Sequence, residues 1–205
     1  MTTVTGDFAV NVVPLGNANP YTNGSLTYQT ADQHQILSNI VKPTGFTGRT
    51  FHYYNAGFSG SATLRSKVEV GANPGGGDDI VLWIATAAGV GYWATLNGTF
   101  INITHSTGGT LNSGTITAPV NGDQLVFELV PATHVFTLYV NGSSVLTATD
   151  STTTASLVGG YGFFPNNSNS ATVKSFAFDG ITAGGSSGKL LGSLTNGILL
   201  GSLGS

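Results

Sequence analysis

The chain contains two glutamates, Glu69 in KVEVG and Glu128 in VFELV, and seven aspartates. Carboxylates are what sugar hydrolysis needs first, because retaining glycosidases hold two of them about 5–5.5 Å apart across the scissile bond. Glu69 and Glu128 stand alone on separate apolar runs, so spacing offers no such pair and no catalytic residue is expected. Each reads instead as a solvent-facing or capped strand carboxylate. His34, His52, His105 and His134 are scattered through unrelated segments, without the close spacing of a zinc site. Asp78 and Asp79 follow a glycine run and could lend oxygens to Ca²⁺, which takes six to eight; the plainer reading is an acidic turn capping a strand. No cofactor is expected. Trp83, Tyr92 and Trp93 could form an aromatic platform for a sugar ring, since flat apolar faces with polar rims suit carbohydrate. The alternation around Trp83 is equally consistent with core packing, and Tyr161, Phe163 and Phe164 in GGYGFF read as core.

Side chains like these need a scaffold, and composition says which kind. With 205 residues, 30 Gly, 7 Pro and only 7% charged residues, the chain describes a turn-rich β protein rather than a helical one. There is no cysteine, so neither disulfides nor thiolate metal sites can contribute. Net charge is −3, and the six Lys and Arg are dispersed, leaving no basic stripe to follow a phosphate backbone. Nucleic acid is therefore not an expected partner. The start, MTTVTGDFAVNVV, lacks the basic residues and apolar run of a secretory leader, and no 18 apolar residues run together. Neither general export nor membrane spanning is expected.

About a dozen short runs of β-branched and aromatic residues recur between turn signals. They span 8–13, 24–29, 50–54, 62–70, 80–86, 91–96, 99–104, 124–130, 135–140, 145–149, 159–164 and 172–178. That rhythm predicts a sandwich or barrel. The sharpest local prediction is a hairpin over VFTLYVNGSSVLTATD, where Asn141-Gly142 suits a type I′ turn and would oppose Leu138 to Val145 and Tyr139 to Ser144.

Three segments follow from this reading: a β domain over 1–181, a Gly/Ser linker over 182–188, and an apolar tail over 189–205. The tail repeats LLGSL nine residues apart and carries Leu190, Leu191, Leu194, Ile198, Leu199, Leu200 and Leu203 with a single charge, Lys189. Nine residues rotate an α-helix by about 180°, so one helix would put the two copies on opposite faces. Three glycines oppose a helix as well. An extended or hairpin form is expected, turning at Thr195-Asn196-Gly197. Burial of these leucines is of the same order as the entropy of ordering the segment. The tail therefore needs a hydrogen-bonded ladder to join, and another protein subunit is the expected partner. A membrane is not, because the stretch is too short to span and lacks a basic face.

From Asp78 onward the order of pieces resembles the concanavalin-like (laminin-G-like) jelly roll of actinobacteriophage virion proteins. The matching segments are DDIVLWIATAAGVGYWATL at 78–96, NGDQLVFELV at 121–130, FTLYVNGSSVLTATD at 136–150, GGYGFF at 159–164 and VKSFAFDGI at 173–181. The resemblance implies an all-β concanavalin-like jelly-roll sandwich followed by the apolar tail. It also implies a non-enzymatic virion structural protein at the virion surface, either a capsid decoration protein or a minor tail protein. Its partners would be other virion subunits, further copies of itself as a homo-oligomer, and a host surface glycan. Where that family carries an arginine before "ATD", this chain has Trp83-Ile84, and the paired terminal aspartates reduce to Asp179. A stand-alone carbohydrate-binding module for cell-wall glycans is the alternative. A glucan hydrolase comes third, because the E-x-D-x-x-E run of laminarinases on this fold is absent.

Overall fold

The computed structural model describes residues 2–6, 21–22, 26–28, 34–37, 40–43, 50–54, 62–72, 79–86, 89–152, 157–164 and 171–182. These form β1 (Thr2–Gly6), β2 (Tyr21–Thr22), β3 (Leu26–Tyr28), β4 (His34–Leu37), β5 (Ile40–Pro43), β6 (Thr50–Tyr54), β7 (Ala62–Ala72) and β8 (Asp79–Ala85). The second half adds β9 (Gly91–Asn97), β10 (Phe100–His105), β11 (Gly109–Thr115), β12 (Gln124–Val130), β13 (Val135–Val140), β14 (Ser143–Thr149), β15 (Val158–Phe164) and β16 (Thr172–Thr182). The expected strands between 50 and 178 are present with small shifts at their ends. The run expected at 8–13 and the tail 189–205 lie outside the described residues.

Two antiparallel sheets face one another. The larger runs β14-β13-β12-β7-β16-β1-β2, with β5 also pairing β16 and β4 pairing β5; the smaller runs β11-β10-β9-β8-β15-β6-β3. Alternation along each strand sends one set of side chains between the sheets. Ile80, Leu82 and Ile84 of β8, Tyr92, Ala94 and Leu96 of β9, Phe127 of β12, Phe136 of β13, Tyr161 and Phe163 of β15, and Phe176 and Phe178 of β16 all enter this core. Ser66 ties the layers together from β7, donating to the Trp83 carbonyl at 2.7 Å and accepting from the Gly160 amide at 3.1 Å.

The outer face of the larger sheet gathers the charges. Arg65 of β7 pairs with Glu128 of β12, which also accepts from the Tyr139 hydroxyl at 3.1 Å. Lys67 reaches Asp179 of β16 at 2.9 Å, and Lys174 approaches Glu69 at 3.7 Å. Burial, reinforced by the Glu128 charge, raises the Tyr139 hydroxyl above its ordinary pKa and keeps it a hydrogen-bond donor.

At Asn141-Gly142 the backbone adopts φ of 50° and 80°, as a type I′ turn requires. Tyr139 opposes Ser144 as expected, but Leu138 opposes Leu146 rather than Val145, because the pairing shifts at a bulge between Leu138 and Tyr139. The Asn141 side chain clasps the neighbouring loop, donating to Asp123 at 2.8 Å and accepting from the Gln124 amide at 2.9 Å. The first of these bonds, together with the Val120 amide, lowers the Asp123 pKa. Nothing crowds the space where a Gly142 side chain would stand, so its conformation alone sets the cost of substitution. Gly142→Val should destabilise the domain by about 1–2 kcal/mol, and an unchanged melting temperature would refute this account of the turn.

Candidate functional site

Strand period decides first which residues can act together. Tyr92 and Trp93 are adjacent on β9 and therefore point to opposite faces. Tyr92 is fully buried in the main core, tilted against Phe136 and His105, while Trp93 lies opposite Trp83 on the outer face of the smaller sheet. Trp83 and Trp93 are only 1% and 6% exposed, packed with Val81, Ala85 and Phe164 in a second, smaller core. The three aromatics expected to form a sugar platform are thus divided between two cores, and none presents an open ring. That corrects the sequence reading, and the reason is the alternation of β9 itself.

Glu69 and Glu128 sit on neighbouring strands but not side by side. Gln124 opposes Glu69 and Arg65 opposes Glu128, an offset of four residues, or about 13 Å along the strands. That exceeds any glycosidase spacing. Asp78 lies outside the described residues, and Asp79 accepts from the Asn97 side-chain amide at 2.6 Å. Among the described residues no group of three or more His, Cys, Asp or Glu is arranged to hold a metal ion. His105 is buried, and its Nδ1 accepts from the Gly108 amide at 3.1 Å, which fixes the β10–β11 turn.

What sequence reasoning missed is a polar array on the outer face of the smaller sheet, beside the tryptophan cluster. Asn102 of β10 lies between Thr95 of β9 and Ser113 of β11. Its side-chain carbonyl accepts from the Thr95 hydroxyl at 2.7 Å and the Thr104 hydroxyl at 3.2 Å. Two donors on one oxygen orient the amide, so its NH₂ group is displayed with no hydrogen-bond partner among the described residues. Two pairs further along the same hairpin, Asn97 opposes Phe100. Asp79 holds the Asn97 NH₂ and leaves its carbonyl oxygen to accept, and the Phe100 ring is 44% exposed. Phe100 and Asn102 stand two residues apart on one face, about 7 Å, a distance a single sugar ring bridges. The array offers an oriented donor, an oriented acceptor and an apolar edge, without a free charge being needed.

No protein-family model matches the sequence, and no curated protein matches it. Solved structures do. The carbohydrate recognition domain of Emp47p superposes with a TM-score of 0.59 at 9% identity, covering 84% of this chain and 95% of that one. The exoplasmic/lumenal domain of VIP36, solved with Ca²⁺ and Man3GlcNAc, gives 0.57 at 13% identity over 77% of this chain and 84% of its own. Winged bean acidic lectin, complexed with methyl-α-D-galactose, gives 0.56 at 11% identity over 86% and 98%. At such identities the likeness is one of fold: this chain is a lectin-like, concanavalin-type jelly-roll sandwich.

Proposed function

We propose that the protein is a non-catalytic glycan-binding module, and that its contact surface is the outer face of the smaller sheet around Asn97, Phe100 and Asn102. The observation that carries this reading is the clamped Asn102 amide. Orienting a side chain before the ligand arrives lowers the entropy cost of binding, and sugar hydroxyls can both accept from Asn102 and donate to Asn97. The lectin-like fold supports the same reading, since three of its structural neighbours are a carbohydrate recognition domain and two lectin-like domains solved with sugars. The offset of Glu69 from Glu128 supports binding over hydrolysis.

A glycan array probed with the full chain tests it. Asn102→Asp replaces the displayed donors with acceptors and should weaken any glycan bound by about tenfold or more, through one lost hydrogen bond and one unpaired polar contact. Phe100→Ala should weaken the same glycan several-fold. Retention of full binding by both variants would remove the face from consideration.

A role on a bacteriophage particle is a second reading, supported by the order of segments given above and by the polarity of the domain. β16 ends opposite Ala62, at the start of β7, while the Asn97–Phe100 hairpin lies at the pole where β7 ends and β8 begins. The chain thus leaves the domain at the pole opposite the hairpin, as a module displayed outward from virion subunits requires. Copurification of the protein with particles checks this.

A further inference from the structure

We propose that the outer edge of β14 is the docking site of the chain's own C-terminal repeat, residues 190–203, which joins the larger sheet as an added antiparallel strand. β14 terminates the larger sheet and β11 terminates the smaller one on the same side of the sandwich. Neither GTLNSGT nor SSVLTAT contains a charged residue or a proline, the usual guards of an open edge. Across this side the Asn112 side-chain amide donates to the Thr147 carbonyl at 2.7 Å. That carbonyl therefore points outward, and so do the Thr147 amide and, two residues on, the backbone groups of Thr149. Leu111 of β11 and Val145 and Ala148 of β14 pack against the core here only half-buried, leaving apolar surface to cover.

Position and direction favour the chain's own tail as the occupant. β16 ends at Thr182 beside Ala62, at the pole where β12 turns into β13 and where β14 finishes. Five strand spacings separate β16 from a strand added outside β14, about 24 Å, and the eight Cα steps from Thr182 to Leu190 can span about 27 Å when extended. A chain returning from that pole runs antiparallel to β14 without any crossover. Alternation in LLGSL would lay Leu190 and Leu194 on one face, matching the half-buried Leu111 and Val145. A tethered segment also meets its site at an effective concentration of order millimolar, well above that of a second copy in dilute solution. The ladder that the leucine repeat needs is thus available within the same molecule, nearer than any other subunit.

Residue-resolved hydrogen exchange on the full chain, at concentrations where it sediments as a monomer, tests this. The Thr147 and Thr149 amides should exchange slowly. Leu191→Pro combined with Leu200→Pro removes a ladder donor from each repeat and should speed both amides about tenfold or more, with Thr137 on the interior strand β13 unchanged. Equal exchange in the two chains overturns the proposal. Protection that appears only as concentration and oligomer size rise also overturns it, and assigns the edge to a second copy.

Discussion

Gly159→Ala is expected to lower the stability of the domain by about 3 kcal/mol or more, a fall of about 6–12 °C in melting temperature for a chain of this size. Gly159 lies on the core face of β15, opposite Ile84 of β8. A methyl group there would stand 1.8 Å from Cδ2 and 1.9 Å from Cε2 of Phe178, a fully buried ring projecting from β16 of the facing sheet. The ring occupies the room that a missing Cβ leaves, so the packing of the two sheets here depends on glycine at this position. Rigid aromatic atoms cannot yield as the end of a flexible side chain could, and the sheets would have to separate. Gly114→Ala on edge strand β11 is the control: its nearest neighbour would be a Leu146 methyl at 3.7 Å, an ordinary contact. A melting curve in which the two substitutions cost the same would show that the Phe178 contact does not limit the approach of the sheets.

Much of this architecture is legible in the sequence because β12 and β13 advertise themselves. QLVFELV and VFTLYV are rich in β-branched and aromatic residues, bounded by turn signals, and their ends fall at the expected positions. Five strands were not expected, β1, β2, β4, β5 and β11, and β11 shows why such strands are silent. GTLNSGT is exposed over most of its length, so no apolar face marks its period. Its place is set by backbone pairing with its hairpin neighbour β10, which composition does not record.

The candidate site divides in the same way. INITH already alternates, so Asn102 and Thr104 could be assigned to one face and Ile101 and Ile103 to the other, as found. The Thr95 hydroxyl that completes the clamp arrives by register from β9, and register is not written in either strand alone. The aromatic platform failed at a step the sequence did contain, since adjacent Tyr92 and Trp93 cannot share a face of one strand. Trp83 and Trp93 do share one, yet that face carries its own small core. Outward-facing aromatics are exposed only where nothing packs over them, and strand period cannot tell which case holds.

The charged ladder on the larger sheet yields the second large effect. Asp179 lies directly opposite Arg65, but Arg65 turns away to Glu128, and Asp179 is met instead by Lys67 on the diagonal. The Asp179 side chain is 6% exposed; one carboxylate oxygen takes the Lys67 ammonium, and the other is buried with no hydrogen bond. Lys67→Met removes the bond and leaves a buried, uncompensated charge. Breaking a fully buried pair from one side costs about 3–5 kcal/mol. Lys67 is itself about one-third exposed, so water screens part of the interaction and about 2–3 kcal/mol is expected. Combining Lys67→Met with Asp179→Leu removes the stranded charge together with its partner. The double variant should therefore be more stable than Lys67→Met alone by about 1 kcal/mol or more, a non-additivity that a double-mutant cycle measures directly. If the two substitutions simply add, the Lys67 ammonium is not what compensates Asp179.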